Sequence, residues 1–365
     1  MKEWLKKRNT FSHHNLLDEL RLSSPSDYRN YLRMDYTTFS ELLNMITPMI
    51  EKQYTCMREP ISPAQRLSST LRCLATGVNF EELKFISAIA PQTIRKIIIE
   101  TCEAIITVSK FIFNSLKKCL QFKKNGKLFL ITLNQNGILI IVWGAIDGKQ
   151  IEIIRSQESG SIVLMAIANA NYEFIMVDIV SNGRVSDAGN PEPDYLPGIS
   201  DKFPYVFVAD DAFPLSNNLM KPYPHRNLSQ EKRIFNYRLL RALRIIENFF
   251  GILASRFRIL LKTINLCPEK TTIIVRVCCH LHNFLRQRKM ETFLNDSVDF
   301  ENILTGYVEP GSWRNQDEQF GQLQPYQGRN SSVTAKEIRD KFCDYFNNAG
   351  AYHYFKLLIT YSCVF

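Results

Sequence analysis

Apolar positions in the first 120 residues recur with a helical period. Ser62 and Pro63 form an N-cap followed by proline at the first helical position, and Gly77 suits a helix end. The apolar stripe between them consists of Leu67, Leu71 and Leu74. The spacing predicts a second, short helix over 81–88 and a third that begins at Pro91. The apolar side of the third helix consists of Ile94, Ile97, Ile98 and Cys102.

The period changes after residue 128. Short β-branched or aromatic runs separated by Gly, Asn and Ser predict strands over 139–146, 150–154, 161–168, 173–180 and 205–209. A helical period returns over 229–262, and its stripe consists of Leu239, Leu243, Ile246 and Phe250. Further helices are predicted after Pro268, over 269–288, and over 335–346. Strands followed by helices predict a mixed α/β or α+β fold.

This pattern divides the chain into three predicted parts. Residues 1–127 are a helical domain, 128–303 a domain built on a sheet, and 304–365 a loop followed by a terminal helix. The stretch 305–333 is rich in Gly, Gln, Asn and Pro without an apolar period, so it is predicted to be an exposed or disordered loop.

Charge adds a functional indication to this division. The net charge is +9, and residues 1–127, with 20 basic and 12 acidic residues, hold +8 of it. A basic helical part joined to a near-neutral part indicates that the first binds a polyanion and the second acts on it. Three helices with short connections predict a helix-turn-helix, with Arg95 and Lys96 as DNA-contacting residues on its last helix. An ordinary helical bundle without DNA contacts is the alternative.

The cysteine content and the hydropathy of the chain restrict the cellular compartment that we predict for it. The nine cysteines are odd in number and lack a disulfide-framework spacing, which favours reduced thiols in the cytosol or nucleus. The amino terminus has no apolar core of a signal peptide. The longest apolar stretch, 128–146, is interrupted by an Asn-Gln-Asn-Gly turn, so no membrane span is predicted.

Three acidic residues form the main candidate site. Asp147 and Asp210 each end an apolar run, and Glu247 lies beside the apolar stripe of a predicted helix. Two carboxylates at strand ends and a third on a helix are typical of sites that cleave phosphodiesters with two divalent ions. Other interpretations stay open, because Asp147 before Gly148 is also a turn signal, and spacing alone favours the turn. Glu247 could instead pair with an arginine one turn back, Arg241 or Arg244.

A second cluster, Cys278-Cys279-His280-Leu281-His282, combines thiols and imidazoles. It lacks a partner pair at zinc spacing elsewhere in the chain, so packing in the core of a helix is favoured over a zinc site.

Several segments resemble the PIF/Harbinger group of transposase-derived nucleases, a branch of the DDE superfamily. They are YLRMDYTTF at 31–39, SPAQRL at 62–67, LRCLATG at 71–77, GAIDGK at 144–149, VFVADDAFPL at 206–215, KPYP at 221–224, ENFFGILASRFR at 247–258 and LHNFL at 281–285. The resemblance implies a ribonuclease-H-like catalytic domain that cleaves DNA with Mg²⁺ or Mn²⁺. It also implies a catalytic and metal-binding triad of Asp147, Asp210 and Glu247 and a Myb-like DNA-binding partner protein. The predicted location is the nucleus, with the cytoplasm as an additional location.

The chain departs from the family pattern before and after the first aspartate. Residues 123–142 do not resemble the corresponding family segment, and the hairpin after Ile154 is shortened. Two hypotheses follow: a metal-dependent endonuclease, or a catalytically inactive relic that binds DNA or protein.

Overall fold

The architecture is described from a computed structural model. It describes residues 10, 12–54, 60–121, 142–155, 158–168, 172–180, 193–196, 198–288, 298–302, 307–315, 320–326 and 331–350, with only the backbone at 111–121, 142–143, 155, 158–159 and 180. The predicted domain boundaries near 127 and 303, the divergent residues 123–141 and the tail after 350 lie outside these ranges.

The amino-terminal part is helical, as the periodicity predicts. Its helices are α1 (His13–Ser23), α2 (Pro25–Leu32), α3 (Tyr36–Ile50), α4 (Pro63–Thr76), α5 (Phe80–Ser87) and α6 (Pro91–Gln121). The predicted cap of α4 is confirmed, because Ser62 Oγ accepts a hydrogen bond from the Gln65 amide at 3.2 Å. Gly77 ends α4 in the left-handed conformation, with φ of 65°.

One mixed sheet forms the centre of the second part. Five of its six strands are β1 (Val142–Arg155), β2 (Glu158–Ala168), β3 (Phe174–Val180), β6 (Val206–Val208) and β7 (Leu219–Met220), in the order β3-β2-β1-β6-β7, and the sixth pairs with β1 at its side. β1, β2 and β3 run antiparallel, whereas β6 pairs parallel with β1 and with β7. The short strands β4 (Asp194–Tyr195) and β5 (Lys202–Phe203) form a separate ribbon.

The turn favoured at Asp147-Gly148 is wrong. Residues 142–146 and 150–154, which the sequence predicts to lie in two strands, belong to one strand, β1, and Asp147 lies in its middle rather than at its end. The ladder with β2 continues through both residues, pairing Asp147 with Ala166 and Gly148 with Met165. A Cβ on Gly148 would lie 2.4 Å from Leu323 Cδ1, so this glycine makes room for a packed side chain.

Two long helices cover the sheet. They are α7 (Gln230–Arg256), continued by a 3₁₀ helix over Arg258–Leu261, and α8 (Pro268–Gln287). All four residues of the stripe predicted for α7 are buried. α9 (Val333–Asn347) packs against α7, and buried residues from Leu17 to Phe346 belong to one continuous apolar cluster. Within the described ranges, no helix has both the length and the apolar character that crossing a membrane requires.

The loop predicted over 305–333 contains ordered structure in its described residues. It holds β9 (Val308–Glu309), which pairs with β8 (Phe300–Glu301), a 3₁₀ helix over Ser312–Asn315, and β10 (Gly321–Gln322), which pairs with β1. We call residues 298–302 and 307–315 the strap. The sequence pattern missed it because these strands are two residues long and depend on contacts with distant elements.

Candidate functional site

Strand register places two of the three candidate carboxylates side by side. In the parallel pair β1 and β6, Ala145 lies opposite Val208. Asp147 follows Ala145 by two residues within β1, and Asp210 follows Val208 by two residues just beyond the end of β6, so strand periodicity directs both towards the same side of the sheet. Neighbouring strands are ~4.8 Å apart, which brings the two acids into electrostatic contact.

Asp147 is buried and already paired. Its Oδ2 lies 2.8 Å from Lys149 Nζ, and its Oδ1 accepts a hydrogen bond from the Gly148 amide at 2.6 Å. Lys149 shares the face of Asp147 because side chains two residues apart on a strand point the same way. Burial raises the pKa of the Asp147 carboxyl; Lys149 opposes this rise and the charge of Asp210 adds to it.

Asp210 and Asp211 occupy different surroundings just beyond β6. Asp210 Oδ1 accepts a hydrogen bond from the Ala212 amide at 3.0 Å, which fixes the turn after the strand. Asp211 is exposed and pairs with Lys221 at 3.2 Å. The register argument therefore favours Asp210 over Asp211 as the partner of Asp147.

Glu247 lies on α7 and is paired, but not with the arginines that sequence spacing offered. Arg241 and Arg244 both pair with Glu301 of the strap instead. Glu247 Oε2 accepts a bond from Arg314 Nη2 at 3.2 Å, and its side chain remains 47% exposed. Within an isolated helix, ion pairs form between side chains three or four positions apart. In this protein, Arg314 of the strap is the cation that reaches Glu247.

The strap is fixed to α7 by a buried polar network. Arg314 donates from Nη2 to Asp299 Oδ2 at 2.6 Å, and the Gly311 amide donates to Asp299 Oδ1 at 2.8 Å. Asn248, next to Glu247, accepts from Trp313 Nε1 at 2.9 Å and from the Asp299 amide at 3.1 Å. Arg314 is therefore oriented by Asp299 before it reaches Glu247.

A pocket of about 160 Å³ opens beside these residues. Its wall contains both cations that hold the carboxylates, Lys149 and Arg314, together with Glu247. The remaining lining is largely apolar and consists of Phe250, Gly251, Ala254, Leu261, Trp313, Phe320 and Gln322. The pocket can thus receive an anionic group against two cations, with an aromatic wall at its side.

Sequence reasoning missed Trp313 and Arg314, although one signal pointed to them. Gly251 lies inside α7, where glycine costs ~1 kcal/mol relative to alanine. A Cβ at this position would lie 2.1 Å from Trp313 Cδ2, so only glycine lets the indole lie against the helix. A glycine within a helical pattern therefore marks the place where the strap approaches α7.

The predicted DNA-contacting residues lie elsewhere. Arg95 and Lys96 are exposed on α6 and do not line the pocket. The Arg95 guanidinium lies 5.4 Å from the centre of the Phe80 ring on α5. Their role in DNA binding stays a prediction, as does the helix-turn-helix itself.

The cysteine and histidine cluster of α8 packs in the core. Cys278 and Cys279 are fully buried thiols, and His282 Nε2–H donates to the Tyr172 carbonyl at 2.9 Å. Asn283 clamps the start of β3 by accepting from the Phe174 amide and donating to its carbonyl. Burial lowers the pKa of His282 to about 3, so the ring is neutral.

The three carboxylates are the right chemical type of ligand for a hard divalent cation, but two of them are paired with cationic side chains in this structure. Carboxylate oxygens are the ligands that Mg²⁺ and Mn²⁺ prefer. Among the described residues, however, no three His, Cys, Asp or Glu side chains converge closely enough to hold a metal ion. Lys149 and Arg314 hold Asp147 and Glu247 in this arrangement.

Residues 153–283 match the family model of the DDE superfamily endonuclease. The matched segment is roughly a third of the chain and supports a transposase-type DDE nuclease. Asp210 and Glu247 lie inside it, and Asp147 lies just before it. The mixed sheet, with its antiparallel β3-β2-β1 half and its parallel β1-β6-β7 half, fits the ribonuclease-H-like layout of such a domain. No curated protein and no solved structure matches the chain.

Proposed function

We propose that this protein is a metal-dependent DNA endonuclease of transposase descent in which Asp147, Asp210 and Glu247 are the catalytic carboxylates. The observation that carries the proposal is the parallel register of β1 and β6, which aligns Asp147 with Asp210 on the face covered by α7, the helix of Glu247. The endonuclease family match over 153–283 supports the same chemistry.

A divalent cation held by these carboxylates would activate the attacking water and stabilise the leaving oxygen. The protein's own cations have a complementary role. Lys149 and Arg314 line the pocket, so they can bind the oxygens of a phosphodiester and orient it against the carboxylates.

The subgroup of the family, the partner protein and the cellular location are part of the same proposal. The motifs at 144–149, 206–215 and 247–258 support the PIF/Harbinger group within the DDE superfamily. That descent would bring a Myb-like DNA-binding partner, and the protein would act in the nucleus, with the cytoplasm as an additional location.

A specific observation favours the rival, an inactive relic that binds DNA or protein. Asp147 and Glu247 are both held by internal cations, and the described residues contain no converged three-ligand group. If those ion pairs do not yield to a metal ion, the site cannot perform hydrolysis.

Plasmid cleavage by the purified protein, with and without Mn²⁺, tests the proposal. Asp210→Asn and Glu247→Gln should each reduce Mn²⁺-dependent nicking by about a thousandfold or more, as expected when a catalytic group is lost. Both residues are exposed, so neither change should unfold the protein. Asp211→Asn is the matched control and should cleave like the parent. Parent protein that never nicks the plasmid would favour the relic, and a dead Asp211→Asn beside an active Asp210→Asn would reverse the assignment.

A further inference from the structure

A cluster of basic side chains lies where the amino-terminal helices meet the end of α7. Arg33 directly follows α2, Arg72 lies on α4, and Arg258 begins the 3₁₀ helix after α7. The charges of Arg258 and Arg72 lower the pKa of Arg33, in addition to its burial, which is the larger cause. Lys262 is the fourth member. We call these four residues the basic seam.

Backbone and packing contacts fix the basic seam in place. Arg72 lies over the Tyr31 ring at 4.0 Å and donates to the Tyr31 carbonyl at 3.3 Å. A Cβ on Gly77, at the end of α4, would lie 2.9 Å from Ile259 Cα and 3.0 Å from Lys262 Cδ. The two parts of the molecule therefore meet closely here, and their cations are brought together by the fold.

The seam has no counter-charge among the described residues. No described carboxylate lies within ion-pair distance of any of its four members, whereas other cations, such as Arg66 and Arg288, pair with glutamates. The Nε atoms of Arg33 and Arg72 are buried without a hydrogen-bond partner. Like charges crowded together and buried donors left unpaired both raise the free energy of the protein alone. An anion with several acceptor oxygens would offset the crowded positive charge.

The seam lies near the pocket. Arg258 and Leu261 belong to the same 3₁₀ helix, and Leu261 lines the pocket. Three residues of such a helix span about 6 Å, so the seam begins one turn from the pocket wall. A strand whose scissile phosphate lay in the pocket would extend over the seam.

We propose that Arg33, Arg72, Arg258 and Lys262 form a binding site for the phosphate backbone of DNA, adjacent to the cleavage site and distinct from the predicted helix of Arg95 and Lys96. The proposal rests on the proposed function for its choice of DNA as the polyanion. Arginine forks bind phosphate oxygens in pairs, and the contact is independent of base sequence.

The test measures binding of the full chain to a short labelled duplex in EDTA, over a series of salt concentrations. Arg258 and Lys262 are exposed, so Arg258→Gln/Lys262→Gln should fold normally. Each lost phosphate contact reduces the log–log salt slope by ~0.9, so this double variant should lose about 1.8 from the parent slope and bind more weakly.

Two matched variants remove the same charge elsewhere. Lys336→Gln/Lys341→Gln lies on α9, where both lysines are exposed, and should leave the slope unchanged. Arg95→Gln/Lys96→Gln reports on the helix-turn-helix prediction in the same assay. Thermal unfolding of each variant confirms that the fold is retained.

The proposal is overturned if the seam variant keeps the parent slope, if all three double variants lose the same amount, or if the parent binds no duplex. The proposal is also overturned if polyglutamate binds the protein through the seam residues and duplex DNA does not, because that result would indicate an acidic protein partner. Its failure is separable from that of the proposed function, because binding is measured without metal. If the protein nicks plasmid but the seam variant keeps the parent slope, the nuclease proposal stands and the seam proposal fails. If the protein binds duplex through the seam but does not nick plasmid, only the seam proposal stands.

Discussion

Two polar layers lie beneath the long helices of this protein, and they differ in charge. The ionic layer joins β1, α7 and the strap, and consists of Asp147, Lys149, Glu247, Arg314 and Asp299. The neutral layer, between β3 and α8, pairs His282 and Asn283 with the backbone of Tyr172 and Phe174. Both contain residue types that are common in active sites.

The difference between the layers lies in their bonding and their access to solvent. His282 and Asn283 in the neutral layer are fully buried, and their hydrogen bonds to Tyr172 and Phe174 end on backbone atoms, so these side chains hold a strand to a helix. The ionic layer borders a pocket, and its bonds join side chains of opposite charge that a ligand can separate. Residue type alone does not distinguish a structural cluster from a candidate site; accessible, exchangeable charge does.

Removing one charge of the buried pair in the ionic layer should have the largest effect on the free energy of unfolding. Asp147→Asn leaves the Lys149 ammonium buried without a counter-charge, and we expect a loss of about 3 kcal/mol in the free energy of unfolding, measured by urea titration. Asp147→Asn/Lys149→Met should recover most of that loss, because it removes both charges.

The exposed pair Asp211 and Lys221 is the matched control for this experiment. Asp211→Asn should change stability by less than about 0.5 kcal/mol, since exposed pairs contribute little. Equal losses in the two aspartate variants would show that Asp147 and Lys149 are not a buried pair.

Acid should weaken the neutral layer. The folded pKa of His282, about 3, lies below its unfolded value of about 6.5, so the unfolded chain binds the proton first. The contribution is complete above about pH 6.5 and is lost as pH falls from there toward 3, at ~1.4 kcal/mol per pH unit. Between pH 7.5 and 5.0 this amounts to about 2 kcal/mol.

His282→Gln keeps a donor for the Tyr172 carbonyl and removes the titration. Its urea midpoint should depend less on pH than that of the parent, whereas His225→Gln, on the exposed surface, should match the parent. An unchanged pH dependence in His282→Gln would mean that the ring is charged or accessible in the folded protein.

The smallest effect is expected where the strap meets α7. Glycine to alanine inside a helix normally stabilises by up to ~1 kcal/mol. At Gly251 the added methyl group would collide with Trp313, so Gly251→Ala should instead destabilise by about 1 kcal/mol. Gain of stability in a thermal unfolding scan would place Trp313 away from the helix.

Much of the fold was predictable because the signals are local. The cap at Ser62, the glycine end at Gly77 and the buried stripe of α7 are confirmed, since each depends on residues within one or two turns. The turn at Asp147-Gly148 was wrongly favoured because an Asp-Gly pair satisfies turn geometry as well as strand geometry, and only the ladder with β2 decides between them. The short strands of the strap have too few residues to produce a period.

By itself, the sequence determined the helices, most of the strands, the three candidate carboxylates and the excess of positive charge in the first 127 residues. Propensity, capping and periodicity act between neighbours in the chain, so they can be read without a fold. Tertiary structure decided that Asp147 lies beside Asp210, that Arg314 rather than Arg244 holds Glu247, and that four basic residues from three distant segments of the chain meet at one seam. These pairings join residues tens to hundreds of positions apart. The packing of the sheet against α7 and the strap, and of the amino-terminal helices against the end of α7, brings them together.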